Sequence, residues 1–194
     1  MIEFIYVIYD KIFRFLEKSK IFNIPKTRGA FIKLYFQIAY YIALVLLLIS
    51  SKYKVNYDYS KEKIIVSLTS IPSRIDRIGP NIESLKRQNY GNYSVILWLS
   101  KKQFPNQFGD LPKKIRKKVD QRFSIRFVDD DLKPHKKYYY ALKENEDNII
   151  ITCDDDVIYS NNLINNLLNT HKKFPDAVCC NRAHLIRYDN SKIY

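Results

Sequence analysis

Glycine is scarce in this chain, with four among 194 residues. That scarcity argues against a Gly-rich phosphate loop, whose backbone must approach phosphate closely at successive positions. Cysteine is scarce too. Cys153, Cys179 and Cys180 show no C-x-x-C spacing, and the last two are neighbours in an apolar stretch. Reduced, structural thiols are expected, and no zinc site. Acidic residues fall short of basic ones, 20 against 33, leaving a formal net charge of +13. An excess this large implies an anionic partner: nucleic acid, an acidic membrane surface or a phosphorylated substrate. No long repeat or low-complexity tract is present. The hydrophobic share of 46% excludes a disordered chain. The length suits one domain with its own core plus an appendage.

The appendage is N-terminal. Over residues 1–22, Ile5, Ile8, Ile12, Phe15 and Leu16 recur at helical spacing, with Lys11, Arg14, Lys18 and Lys20 between them. A basic amphipathic helix of this kind lies on an anionic membrane or packs on the protein's own core. Pro25 breaks it. Residues 34–51 then form an 18-residue window without charge, at the short edge of what spans a bilayer. Lys33, Lys52 and Lys54 flank it and could snorkel to the interfaces. Tyr35, Tyr40 and Tyr41 add interfacial character. Residues 1–55 are therefore expected to be a membrane anchor, with a soluble domain over 61–194 after a linker.

Within that domain, short apolar runs alternate with helical segments. Residues 64–68 read as a first strand, and 69–74 as a polar loop at its carboxyl end. Ligands bind at that edge of an open α/β sheet. There Thr69 and Ser70 can bond a sugar or base and Arg74 can face a phosphate. An ordinary strand-to-helix turn would look the same. Residues 81–88 read as a helix with Ile82 and Leu85 toward the core, and 93–100 as a second strand. Lys113, Lys114, Arg116, Lys117 and Lys118 form a basic cluster on a short helix. Phe123, Ile125 and Phe127 mark a third strand, ending in Asp129, Asp130 and Asp131. Lys133, His135, Lys136 and Lys137 follow and could neutralise those acids. A helix from about Tyr138 places Lys136 and Lys137 at its N-terminus, a diphosphate clamp in principle.

The most informative stretch is 148–159, NIIITCDDDVIY. Its apolar run reads as a buried parallel strand, 149–153, and it ends in three carboxylates. In extended backbone Asp154 and Asp156 share a face and Asp155 takes the other. Like charges so close repel, and a hard divalent cation resolves the conflict. An acidic loop capping the next helix is the structural alternative. Ser160 is a candidate N-cap, with Leu163, Ile164, Leu167 and Leu168 at helical spacing after it. Residues 177–180 read as a short strand followed by Asn181, Arg182 and His184, the last a weak candidate ligand or proton carrier.

Residues 65–74 (IVSLTSIPSR), 82–88 (IESLKRQ), 95–100 (VILWLS), 136–142 (KKYYYAL) and 149–159 resemble, in order and spacing, bacterial family 2-like glycosyltransferases with the GT-A fold. The resemblance covers about residues 61–187. It implies a mostly parallel sheet with helices on both faces and a nucleotide-sugar donor. It implies Mg²⁺ or Mn²⁺ held by Asp154 and Asp156 on the donor's diphosphate, with Asp155 bracing or ligating. The loop from Thr69 to Arg74 would meet the nucleotide, and Lys136 and Lys137 would share the phosphate charge. The acceptor would be a glycan or lipid-linked sugar, and the location a membrane, with the catalytic domain on its cytoplasmic side. Family members usually continue past the metal motif into an acceptor-binding half that supplies the base of inverting enzymes. The chain ends at Tyr194, so an incomplete enzyme is expected, with no catalytic base assigned. A non-catalytic membrane scaffold and a nucleotidyltransferase are the rival readings. A nucleic-acid binder is disfavoured, because three acids beside the site would repel phosphates in the absence of metal.

Overall fold

The computed structural model describes residues 34, 37–39, 41–42, 44–45, 58–181, 188–189 and 192–193. Described positions between 34 and 45 are helical. The rest of the expected anchor, and Arg182 and His184, lie outside the described residues. No helix among the described residues is long and apolar enough to cross a membrane.

Four strands form one sheet: β1 (Ile64–Thr69), β2 (Tyr93–Ser100), β3 (Phe123–Val128) and β4 (Ile149–Thr152). Their spatial order is β3-β2-β1-β4, and every neighbouring pair is parallel. This is a Rossmann-like α/β arrangement. β1 and β2 have neighbours on both sides, so both read as near-continuous apolar runs and are buried along almost their whole length. β4 differs from the fully buried strand expected. Among the described residues it pairs only with β1, leaving Ile149 and Ile150 half-buried and Thr152 exposed.

Strand alternation sends side chains to two separate cores. Ile64, Val66, Leu68, Val95, Leu97 and Phe123 pack with Ile82 and Leu85 of α1 (Gly79–Lys86), Ile115 of α2 (Lys113–Arg116) and Leu163, Ile164 and Leu168 of α4 (Leu163–Lys173). Ile65, Ile96, Trp98 and Val128 pack on the opposite face with Ala141 and Tyr140 of α3 (Lys136–Glu144). Helices thus cover both faces, as expected. Gly91, in the turn before β2, is required by close approach. A Cβ there would lie 2.6 Å from the backbone nitrogen of Asp58.

Two local expectations are corrected. Residues 177–180 form no strand: they have no sheet partner, and Val178 is 97% exposed. Asn162, not Ser160, is the N-cap of α4, and it makes no capping side-chain hydrogen bond. Ser160 instead accepts from the Asn162 N–H and gives its carbonyl to Gln88 Nε2 at 2.7 Å, tying α4 to α1. Beyond α4, β5 (Tyr188–Asp189) and β6 (Lys192–Ile193) form an antiparallel pair.

Candidate functional site

The strand order reverses at β1. β2 and β3 extend the sheet to one side, and β4 enters on the other. Crevices outside the carboxyl ends of strands at such a reversal are where open α/β sheets bind ligands. A cavity of about 250 Å³ lies there. Its lining includes Thr69, Ser70, Arg74, Lys136, Lys137, Asp154 and Asp155. Seven of the eight residues singled out from sequence therefore line one cavity. Asp156 is not among its lining residues and is joined to it through Arg74.

The register explains the meeting. Ser67 of β1 pairs with Thr152 of β4, and the Cys153 N–H donates to the Ser67 carbonyl at 2.8 Å. β4 ends opposite Ser67, and β1 runs two residues further before its loop begins. β4 ends at Thr152, and the acids occupy a turn centred on Asp155 and Asp156. Asp154 and Asp156 are exposed and Asp155 is buried, the split expected from the sequence, although a turn rather than extended backbone produces it.

Asp155 joins the two loops. Its side chain is 3% exposed. The Ser70 hydroxyl donates to Asp155 Oδ2 at 2.6 Å, and Arg74 approaches Asp155 Oδ1 at 3.2 Å. A carboxylate this buried needs such partners. The same guanidinium reaches Asp156 Oδ2 at 3.5 Å. Lys137, from the first turn of α3, donates to Asp154 Oδ1 at 2.6 Å.

Each of the other named residues is committed elsewhere. The Thr69 hydroxyl donates to the Trp98 carbonyl at 2.7 Å. Lys136 is fully buried, and its ammonium is paired with Asp131. Adjacent lysines have thus split roles, one bracing the fold and one facing the acids. The other acidic triplet is neutralised mostly by the β2 end: Lys101 meets Asp129 at 2.7 Å and Lys102 meets Asp130 at 3.7 Å.

Three positioning residues were not marked for this role by the sequence. Asn81 Nδ2 donates to the carbonyls of Asp154 and Val157, at 2.8 and 2.6 Å, and so clamps the acidic turn to α1. Tyr159 Oη accepts the Asp154 N–H at 2.8 Å, and burial holds its phenol strongly protonated. Ser67 Oγ accepts from Trp98 Nε1 at 2.9 Å and donates to the Lys137 carbonyl, fixing the backbone that presents Lys137. A serine inside an apolar strand was the available signal for Ser67. Cys153 lies beneath the acids, and burial pushes its thiol up to about 12.

Magnesium-type ions take one or two carboxylates and leave positions for water and phosphate oxygens. Asp154 and Asp156 supply two exposed carboxylates, while Asp155 is held by protein partners. Among the described residues no group of three or more His, Cys, Asp or Glu side chains could form an all-protein metal cage. Comparison with protein-family models and with curated proteins gives no match.

Proposed function

We propose that residues 61–194 are the nucleotide-sugar-binding part of a metal-assisted glycosyltransferase of GT-A type. The sugar would pass to a glycan or lipid-linked acceptor, with residues 1–55 attaching the chain to a membrane. The observation that carries this reading is Asp155, buried and bonded to both Ser70 and Arg74. It fixes the loop after β1 against the acidic turn after β4 at the sheet's reversal point.

In this reading Asp154 and Asp156 hold Mg²⁺ or Mn²⁺. The ion, when bound, offsets charge on the departing nucleoside diphosphate. Arg74 and Lys137 pair with the carboxylates of Asp156 and Asp154. With a diphosphate present they turn to its oxygens, since guanidinium and ammonium groups both bind phosphate strongly. Ser70 and Asp155 hold the nucleotide loop in place. In transfer, the bond between the anomeric carbon and the diphosphate oxygen breaks, its electron pair leaving with the nucleotide. The acceptor oxygen bonds the same carbon, and its proton passes to a base outside this cluster.

Calorimetric titration of the chain with UDP, GDP and their sugars, with and without Mn²⁺, tests the proposal. Metal-dependent binding is expected, and is expected to vanish when Asp154→Ala and Asp156→Ala are combined. A folded double variant that binds as well as the parent would overturn it and leave these acids a structural role.

A further inference from the structure

We propose that a second cleft, at the carboxyl end of β3, binds a neutral saccharide. The cleft has a volume of about 470 Å³, within the range of about 300–1,000 Å³ common for small-ligand sites. Its lining includes Asp130, Asp131, Leu132, Lys133, Tyr138 and Tyr139. It meets the acid-lined cavity at Lys133, which lines both. The inference does not rest on the donor reading, because no residue of the Asp154–Asp156 turn contributes to it.

Two tyrosines make its aromatic wall. Tyr138 and Tyr139 stay 43% and 47% exposed, although Tyr140 beside them packs into the core. Each ring has an aromatic neighbour. His135 meets Tyr138 edge-on at 5.5 Å, and Tyr139 meets Tyr140 edge-on at 5.0 Å. Tyr140 in turn stacks at 5.7 Å on Trp98, which is fully buried. A ring fixed this way loses little entropy when a ligand settles on it. Aromatic faces are electron-rich and attract the polarised C–H face of a pyranose.

The polar wall complements hydroxyls. Asp130 has an exposed carboxylate, paired with Lys102 at 3.7 Å. Lys133 sits at φ 53°, a left-handed conformation that non-glycine residues seldom adopt. Its N–H donates to Asp131 Oδ1 at 3.2 Å, which fixes the loop between the two clefts. Asp131 is itself satisfied by Lys136 and by Gln103 Nε2 at 3.0 Å. Lys102 and Lys136 pair with Asp130 and Asp131, so what the acids add to the cleft is hydrogen-bond acceptors rather than a net charge. Carboxylate acceptors beside exposed ring faces suit a polyol with one apolar side. An apolar helix would strand Asp130 against its surface, with a desolvation cost that a hydroxylated ligand avoids.

Screening the full chain on a printed glycan array, followed by saturation-transfer NMR of the bound glycans, tests the inference. At least one neutral glycan should bind, with saturation concentrated on one C–H face of a ring. Combining Tyr138→Ala with Tyr139→Ala should weaken binding about tenfold or more, whereas Phe at both positions should retain it within about threefold. Asp130→Asn, at an exposed position where folding is not at issue, should weaken binding about tenfold through the lost charge-assisted acceptor. Asp154→Ala should leave glycan binding unchanged. Absence of any neutral glycan bound, equal binding by the Ala pair and the parent, or displacement of the glycan by free UDP or GDP would each overturn the assignment.

Discussion

Removing the Asp131 charge should destabilise the domain strongly, and the loss should disappear in acid. The Lys136 side chain is 1% exposed and that of Asp131 23%. Asp131→Asn keeps the shape and one acceptor oxygen but leaves a buried ammonium without a counter-charge. Breaking a buried pair from one side costs about 3–5 kcal/mol. The lower end, about 3 kcal/mol, applies here, because water reaches Asp131 and the Asn oxygen still accepts a hydrogen bond. At a urea m-value of about 2 kcal/mol/M, the unfolding midpoint should fall by about 1.5 M. Trp98, the single tryptophan and fully buried against Tyr140, reports unfolding by fluorescence. The hydrogen bond from Lys136 holds the Asp131 carboxyl below its ordinary range. A depressed carboxylate contributes stability above its unfolded pKa, near about 3.9, and loses it as pH falls through the folded value. The gap between parent and variant should therefore hold steady above about pH 5 and close below about pH 4. A companion variant combining Asp131→Leu with Lys136→Met removes both charges and should unfold within about 1 kcal/mol of the parent. An Asp131→Asn loss under about 1 kcal/mol, or a gap that does not change with pH, would refute the reasoning.

Other outcomes follow from the same geometry. Ser67→Ala leaves the Trp98 indole N–H without its acceptor inside the core and should cost about 1–3 kcal/mol in urea unfolding. It also frees the Lys137 carbonyl, so affinity for a nucleoside diphosphate should drop with it. Cys153 is buried with its thiol pushed up to about 12, so iodoacetamide at about pH 8 should label Cys179 and Cys180 in the native chain and Cys153 only after denaturation. Mass spectrometry of the labelled peptides reads this directly. The charge-free window over 34–51 should keep the chain in the pellet after carbonate washing, and recovery of the full chain in the soluble fraction would remove the anchor.

The sequence by itself determined the order of the four sheet strands and of the helices between them. Strands over 93–100 and 123–128 lie where short apolar runs placed them: the inner strand β2, buried on both faces, reads as a near-continuous apolar run, and the edge strand β3 as an alternation. It also determined which residues gather at the carboxyl edge, since parallel strands of one sheet deliver their following loops to one side. Tertiary structure alone decided how those residues share the work. Lys136 and Lys137 are adjacent and chemically equal in sequence. The start of α3 buries one ammonium on Asp131 and presents the other to Asp154. The acidic triplet is likewise three identical side chains until the turn after β4 buries the middle one between Ser70 and Arg74. Asn81 and Tyr159 lie on segments whose sequence said only helix and loop, yet both hold the backbone of that turn. Residues 177–180 carry apolar character without a strand, because a strand forms only where the segment meets a partner, and no local pattern encodes that meeting. Periodicity records which face of an element is buried. The partner of each polar group is set only when distant segments meet.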